Sequence, residues 1–72
     1  MVNCLVLGGN GSLGSHLVDD LVGKGFNVRA FDRLNNQKIR FESKKNVEII
    51  NGEFLNSSDL EEAVKDMDYV FH

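Results

Sequence analysis

Residues 5–17 read LVLGGNGSLGSHL: an apolar run, four glycines within the seven positions 8–14, then the start of an amphipathic pattern. Glycine weakens helix or strand by roughly 0.5–1 kcal/mol relative to alanine, so such crowding fits a place where a side chain would obstruct the backbone. Ahead of the glycines, VNCLVL at 2–7 is a nearly continuous apolar stretch, the pattern of a parallel strand buried on both faces. Behind them, Leu13, Leu17, Val18, Leu21 and Val22 recur along one helical face, and Gly23-Lys24-Gly25 offers a left-handed stop. The stretch therefore reads as a tight strand-to-helix turn.

The rest of the chain continues the alternation. FNVRAFD at 26–32 alternates Phe26, Val28 and Ala30 against Asn27, Arg29 and Phe31, a second strand. Residues 33–45 are polar and basic, with a short helix expected around 37–42. NVEII at 46–50 is a third strand. Ser58-Asp59-Leu60-Glu61 matches a capping box, and Leu60, Ala63, Val64 and Met67 then repeat at i, i+3, i+4, i+7. DYVFH at 68–72 begins a fourth strand. Strand, helix, strand, strand, helix, strand predicts an α/β fold with a parallel sheet and right-handed crossovers. The expected strand order is 3-2-1-4, the first half of a doubly wound sheet, with residues 1–72 in one domain. The outer edge of strand four would expose unpaired backbone groups, which reads as the edge of a piece of something larger and as a surface for self-association.

Composition narrows the function classes. The 72 residues are 42% apolar and 26% charged, with a formal net charge of −3, the balance of an ordinary globular domain. No basic footprint for nucleic acid or an anionic membrane is present. Residues 29–45 hold six of the eight basic side chains and residues 53–72 hold six acids, a segregation that reads as two solvated faces. Cys4 stands alone in an apolar run, a buried and inert thiol suited to a reducing compartment; with no leader or membrane-length apolar run, a cytoplasmic protein is expected.

The glycines satisfy two spacings at once. Gly9, Gly11 and Gly14 fit G-x-G-x-x-G; Gly8, Gly11 and Gly14 fit G-x-x-G-x-x-G. In either, an early glycine permits the sharp reversal, Gly11 lets backbone approach a pyrophosphate, and Gly14 lets the helix lie close to the first strand. The N–H groups of Ser12 and Leu13, at the positive end of the helix, would then face the phosphates. Asp32 lies 18 residues beyond Gly14 at the end of strand two. A carboxylate there accepts both hydroxyls of an adenine ribose and repels a 2′-phosphate, favouring NAD over NADP. Arg33 leaves the second cofactor open, since its guanidinium could pair with a 2′-phosphate or stack on adenine.

GGNGSLGSHLVDDL followed by VRAFDR resembles the extended short-chain dehydrogenase/reductase family, specifically its nucleotide-sugar epimerases and dehydratases, and NGEFLNSSDLEEAVKDMDYVFH extends the likeness to residue 72. The resemblance implies the amino-terminal part of an NAD-binding Rossmann domain. Gly8, Gly11 and Gly14 match the family's phosphate loop, with Ser12 and Leu13 as backbone donors, and Asp32 matches its ribose-binding acid. Arg33 and Asn36 lie where relatives touch the adenosine part, and Glu53 and Phe54 where an acidic side chain and a backbone group meet adenine. Two positions depart from the pattern: Glu53 replaces a customary aspartate, and Ser12 a customary aromatic residue. His16 belongs to a Ser-His pair read as structural, and His72 has no partner that would make it catalytic.

In such a family the parent protein would use bound NAD to oxidise and re-reduce a nucleotide-sugar. The family's proton-transfer unit is a Ser or Thr with a Tyr-x-x-x-Lys pair. Tyr69 is the only tyrosine and no residue 73 follows, so these 72 residues alone are expected to be inactive. The alternatives are a non-catalytic NAD(P)-sensing module of the atypical branch and a structural piece that associates through its strand edge. Metal-ligand spacing is missing, and the glycines lack the lysine of a P-loop.

Overall fold

Cys4, Leu5 and Val6 are each at most 1% exposed, as an apolar run with cover on both faces requires. The computed structural model describes residues 1–72. That run is the core of β1 (Asn3–Leu7), followed by α1 (Ser12–Gly23), β2 (Asn27–Asp32), β3 (Val47–Asn51), α2 (Ser57–Val64) and β4 (Tyr69–Phe71). The strands form one parallel sheet in the order β3-β2-β1-β4, the expected half of a doubly wound α/β fold. In register, Cys4 faces Val28 and Tyr69, and Asp32 faces Asn51.

Alternate residues of the central strands feed two cores. Cys4, Val6, Val28 and Ala30 meet Val18 and Leu21 of α1 and Phe41, while Leu5 and Phe31 meet Ala63 of α2 on the opposite face. The Cys4 thiol is pushed up in pKa by burial and, secondarily, by the Asp68 carboxylate, so it stays protonated and packs as a small hydrophobe. α1 ends in a full left-handed cap. Gly25 has φ +93°, its N–H donates to the Val22 carbonyl, and the Phe26 N–H donates to that of Leu21.

Several expectations from sequence are corrected. Leu13 is 87% exposed and not part of the buried face of α1, which runs through Ser15, Val18 and Leu21. The second helix begins two residues earlier than a Ser58 cap implies: Asn56 is the N-cap, accepting the Asp59 N–H at 3.1 Å. Helix formation stops at Val64, so Met67 reaches its core from beyond the helix. Arg29 does not belong to a solvated basic face. It pairs with Glu48 at 2.6 Å and donates to the carbonyls of Ala63 and Lys65, each at 2.9 Å, closing the C-terminus of α2.

The short helix expected around 37–42 is absent. Its backbone groups are satisfied elsewhere. Asn10 Nδ2 donates to the Lys38 carbonyl and Asn10 Oδ1 accepts the Arg40 N–H, while the Asp19 carboxylate accepts the N–H groups of Glu42 and Ser43 and the Ser43 hydroxyl. An extended strap anchored by side chains has replaced an i to i+4 ladder.

The Ser43 hydroxyl first, and the Glu42 N–H next, hold the Asp19 carboxyl below its ordinary pKa. A depressed folded-state pKa adds stability that is complete above the unfolded value, about 4, and is lost as pH falls through the folded value. The melting temperature of Asp19→Asn should therefore fall less between pH 5 and lower pH, about pH 2, than that of the unaltered protein, as followed by circular dichroism. Parallel curves would remove Asp19 from the acid-sensitive set.

Candidate functional site

At the C-terminal ends of β1 and β2 the glycine turn is drawn down onto the sheet. Gly8 adopts φ +76°, a left-handed conformation that favours glycine, and the N–H groups of Gly8 and Gly9 both donate to the Phe31 carbonyl, at 2.8 and 3.2 Å. A Cβ on Gly14 would overlap the Gly8 carbonyl oxygen and lie 2.8 Å from its carbon, so α1 can start this close to the turn only with glycine there. Gly9 has Ala30 Cβ within 2.7 Å of the same position, whereas Gly11 meets only the Gly8 carbonyl oxygen, at 3.3 Å. Both glycine spacings read from the sequence are thus used: Gly8 and Gly14 shape the turn, Gly9 packs on β2, and Gly11 leaves room above the loop.

α1 starts on Gly11, which has no side chain to cap it. The first-turn N–H groups, those of Ser12 and Leu13 among them, lie at the positive end of the helix, as the phosphate-loop reading requires. Beside them stands Asp32. Its Oδ2 accepts the Asn10 N–H at 2.9 Å and its Oδ1 accepts the Arg33 N–H at 2.8 Å. A carboxylate has about four acceptor positions, so these bonds fix its orientation and leave capacity for two further donors.

Arg33 pairs with Glu53, Nε to Oε2 3.1 Å, with both side chains about half exposed. Phe54 rests edge-on against Phe31, ring centroids 5.2 Å apart, and Asn36 occupies an exposed left-handed turn with φ +63°. Gly8, Gly11, Ser12, Leu13 and Gly14 thus lie in the turn and first residues of α1, which the Asn10 N–H ties to Asp32, with Arg33 next in the chain, Glu53 joined to Arg33 by the ion pair and Asn36 on the adjoining turn. His16 is exposed and lines a hollow of about 370 Å³ with Ser12, Ser15, Asp19, Arg40 and Glu42 along the flank of α1. A second hollow of about 370 Å³, lined by Asn3, Asn27, Arg29, Asn46, Glu48 and others, lies at the opposite end of the strands. It is remote from the glycine turn and from the helix N-terminus.

Asn10 was not singled out by the sequence patterns. It is only 3% exposed, and it ties the glycine loop to Asp32 through its backbone and to residues 38 and 40 through its side chain. An amide among glycines gives no periodicity to detect; its placement within a turn that must satisfy its own backbone was the only clue.

The family model described as NAD(P)H-binding matches residues 8–72. The chain belongs to that family. Among curated relatives of this NAD(P)H-binding chain, the mouse (Mus musculus) sterol-4-alpha-carboxylate 3-dehydrogenase, decarboxylating, is 35% identical over 72 residues, covering 96% of this chain and 18% of the relative. The UDP-N-acetyl-alpha-D-glucosaminuronate decarboxylase of Bacillus cytotoxicus is 37% identical over 71 residues, covering 96% and 22%. A solved epimerase from Methanothermobacter thermautotrophicus superposes with a TM-score of 0.85 at 33% identity, covering 99% of this chain and 22% of that one. The chain spans about a fifth of the length of these curated relatives. No helix is long and apolar enough to cross a membrane.

The glycines separate by what surrounds them. Gly14→Ala forces α1 off the loop and should cost about 2 kcal/mol or more. Gly23 has nothing within 4 Å of an added Cβ and lies in the last turn of α1, so Gly23→Ala should stabilise by up to about 1 kcal/mol. Urea unfolding of both variants measures the contrast, and equal effects would refute the packing role of Gly14.

Proposed function

We propose that residues 1–72 are the amino-terminal part of a dinucleotide-binding domain whose site holds the adenosine diphosphate half of NAD in preference to NADP. The observation that carries this reading is the Asp32 carboxylate, held by two backbone N–H groups beside an uncapped helix start. These features fit the cofactor. The open α1 terminus suits a pyrophosphate, with Gly11 giving it access and the Ser12 and Leu13 N–H groups as donors. The free acceptor capacity of Asp32 suits the vicinal ribose hydroxyls, and its charge disfavours a 2′-phosphate. Arg33, Asn36, Glu53 and the backbone at Phe54 border the adenosine end.

In the whole protein we assign this site to an NAD-dependent enzyme of the epimerase and dehydratase type, with a nucleotide-sugar as substrate. The bound nicotinamide would supply hydride acceptance and return. Support comes from the kinship with a sugar-nucleotide decarboxylase and the likeness to a solved epimerase. The present residues contribute binding and orientation: the loop fixes the diphosphate and Asp32 fixes the ribose. Tyr69 is 60% exposed on β4. We also propose a cytoplasmic setting, which the single, free and buried thiol of Cys4 supports. β4 is bonded in the sheet to β1 alone and exposes Tyr69 and Val70, which supports association through that edge with further chain or with a second copy.

Calorimetric titration of the full chain with NAD tests the site. Asp32→Ala removes charge-assisted hydrogen bonds to the ribose worth about 2–3 kcal/mol together, so NAD affinity should drop roughly 30- to 150-fold. Asp32→Asn, which keeps one acceptor for the loop, should preserve folding while still weakening NAD. Unchanged affinity in both variants would overturn the ribose assignment.

A further inference from the structure

We propose that Glu53 tunes the choice between NAD and NADP by holding Arg33, the cation beside the ribose carboxylate, away from a 2′-phosphate. The inference rests on the dinucleotide reading above and adds to it a specificity-determining pair. The geometry begins with the strands. Asp32 and Asn51 are in register at the C-terminal ends of β2 and β3, and the Gly52 N–H donates to the Asp32 carbonyl at 3.1 Å. The chain therefore leaves the two strands side by side, and the next residues, Arg33 and Glu53, meet with Nε 3.1 Å from Oε2.

Of the charged groups at this corner, Asp32 is the fixed one. Turning its carboxylate aside to admit a 2′-phosphate would strip the Asn10 and Arg33 N–H groups of their acceptor. Glu53 is anchored at its backbone, since its N–H donates to the Asp59 carboxylate at 2.9 Å, and the following Phe54 ring leans on Phe31. Arg33 is the long, half-exposed arm between them, and a guanidinium suits a phosphate through paired N–H donors. Glu53 opposes that use by occupying the Nε edge of the fork. An exposed pair of this kind is weak, so it is a modest bias that an incoming dianion can overcome.

A double-mutant cycle tests the pair in the full chain, with NAD and NADP affinities measured calorimetrically for the unaltered protein, Glu53→Gln, Arg33→Gln and the double variant. Glu53→Gln should raise the NADP-to-NAD affinity ratio about three- to fivefold, the size expected when an exposed ion pair is released. The rise should disappear when Arg33 is also replaced, and shrink at high salt. An unchanged ratio in Glu53→Gln would overturn the proposal, as would an equal rise in the absence of Arg33, which would make Glu53 a bare charge. Should the unaltered chain bind neither dinucleotide, the cofactor reading itself falls and this inference with it. NAD binding with an unresponsive ratio refutes the pair alone.

Discussion

The first turn of α1 lies closer to the β1–α1 loop than any side chain at position 14 would allow. That approach is the constraint on which the site depends. With the helix start held against the turn, the Gly8 and Gly9 N–H groups reach a single carbonyl, that of Phe31 in β2. The Asn10 N–H then reaches the Asp32 carboxylate one residue later. The end of β1, the start of α1 and the end of β2 are thereby locked by short backbone contacts. The helix terminus and the carboxylate are presented together, so less ordering remains to be done when a ligand binds.

Asn10 carries this rigidity outward. Its side-chain amide bonds to the carbonyl of residue 38 and the N–H of residue 40, the pattern of a neighbouring residue in a parallel ladder. Ile39, between them, packs against the larger core, and Phe41 is buried within it. Asp19 takes up the next stretch through Glu42 and Ser43. Two side chains, one in the loop and one on α1, thus order a segment without helix or strand of its own. That segment carries Lys38 and Arg40 past the flank of α1, so the charge around the candidate site depends on a buried amide inside the glycine loop.

The fold was legible because its decisive signals are local and repeated. The apolar run before the glycines, the alternation in FNVRAFD and the spacing of Leu17, Val18 and Leu21 each specify an element, and together they leave few topologies. The place of Asp32 at the end of β2 was legible because one helix and one strand separate it from the loop. What escaped is interaction at long range through short polar side chains. The contacts of Asn10 with residue 40, of Asp19 with residue 43 and of Arg29 with residue 63 span 24 to 34 positions and follow no period. The missing short helix at 37–42 has the same origin: propensity allowed it, and tertiary hydrogen bonds to the backbone displaced it. Leu13 misled because its spacing of four from Leu17 looks helical, whereas the buried face of α1 is centred on Val18 and runs through Ser15 and Leu21.

A helix leaves backbone donors unpaired at its start and carbonyls unpaired at its finish, and a folded chain normally finds partners for both. α1 finishes in the left-handed cap at Gly25, with Phe26 donating back to Leu21. α2 starts on the Asn56 side chain and finishes on the Arg29 guanidinium, which reaches in from the middle of the sheet. The remaining end, the start of α1, falls on Gly11, which offers no side chain. A sequence that closes the other three ends with specific groups and puts glycine at the fourth leaves the positive end of α1 without a side-chain partner. Asp32 sets a directed carboxylate near that helix start, so a ligand that satisfied both would be anionic at one point and carry hydrogen-bond donors at another.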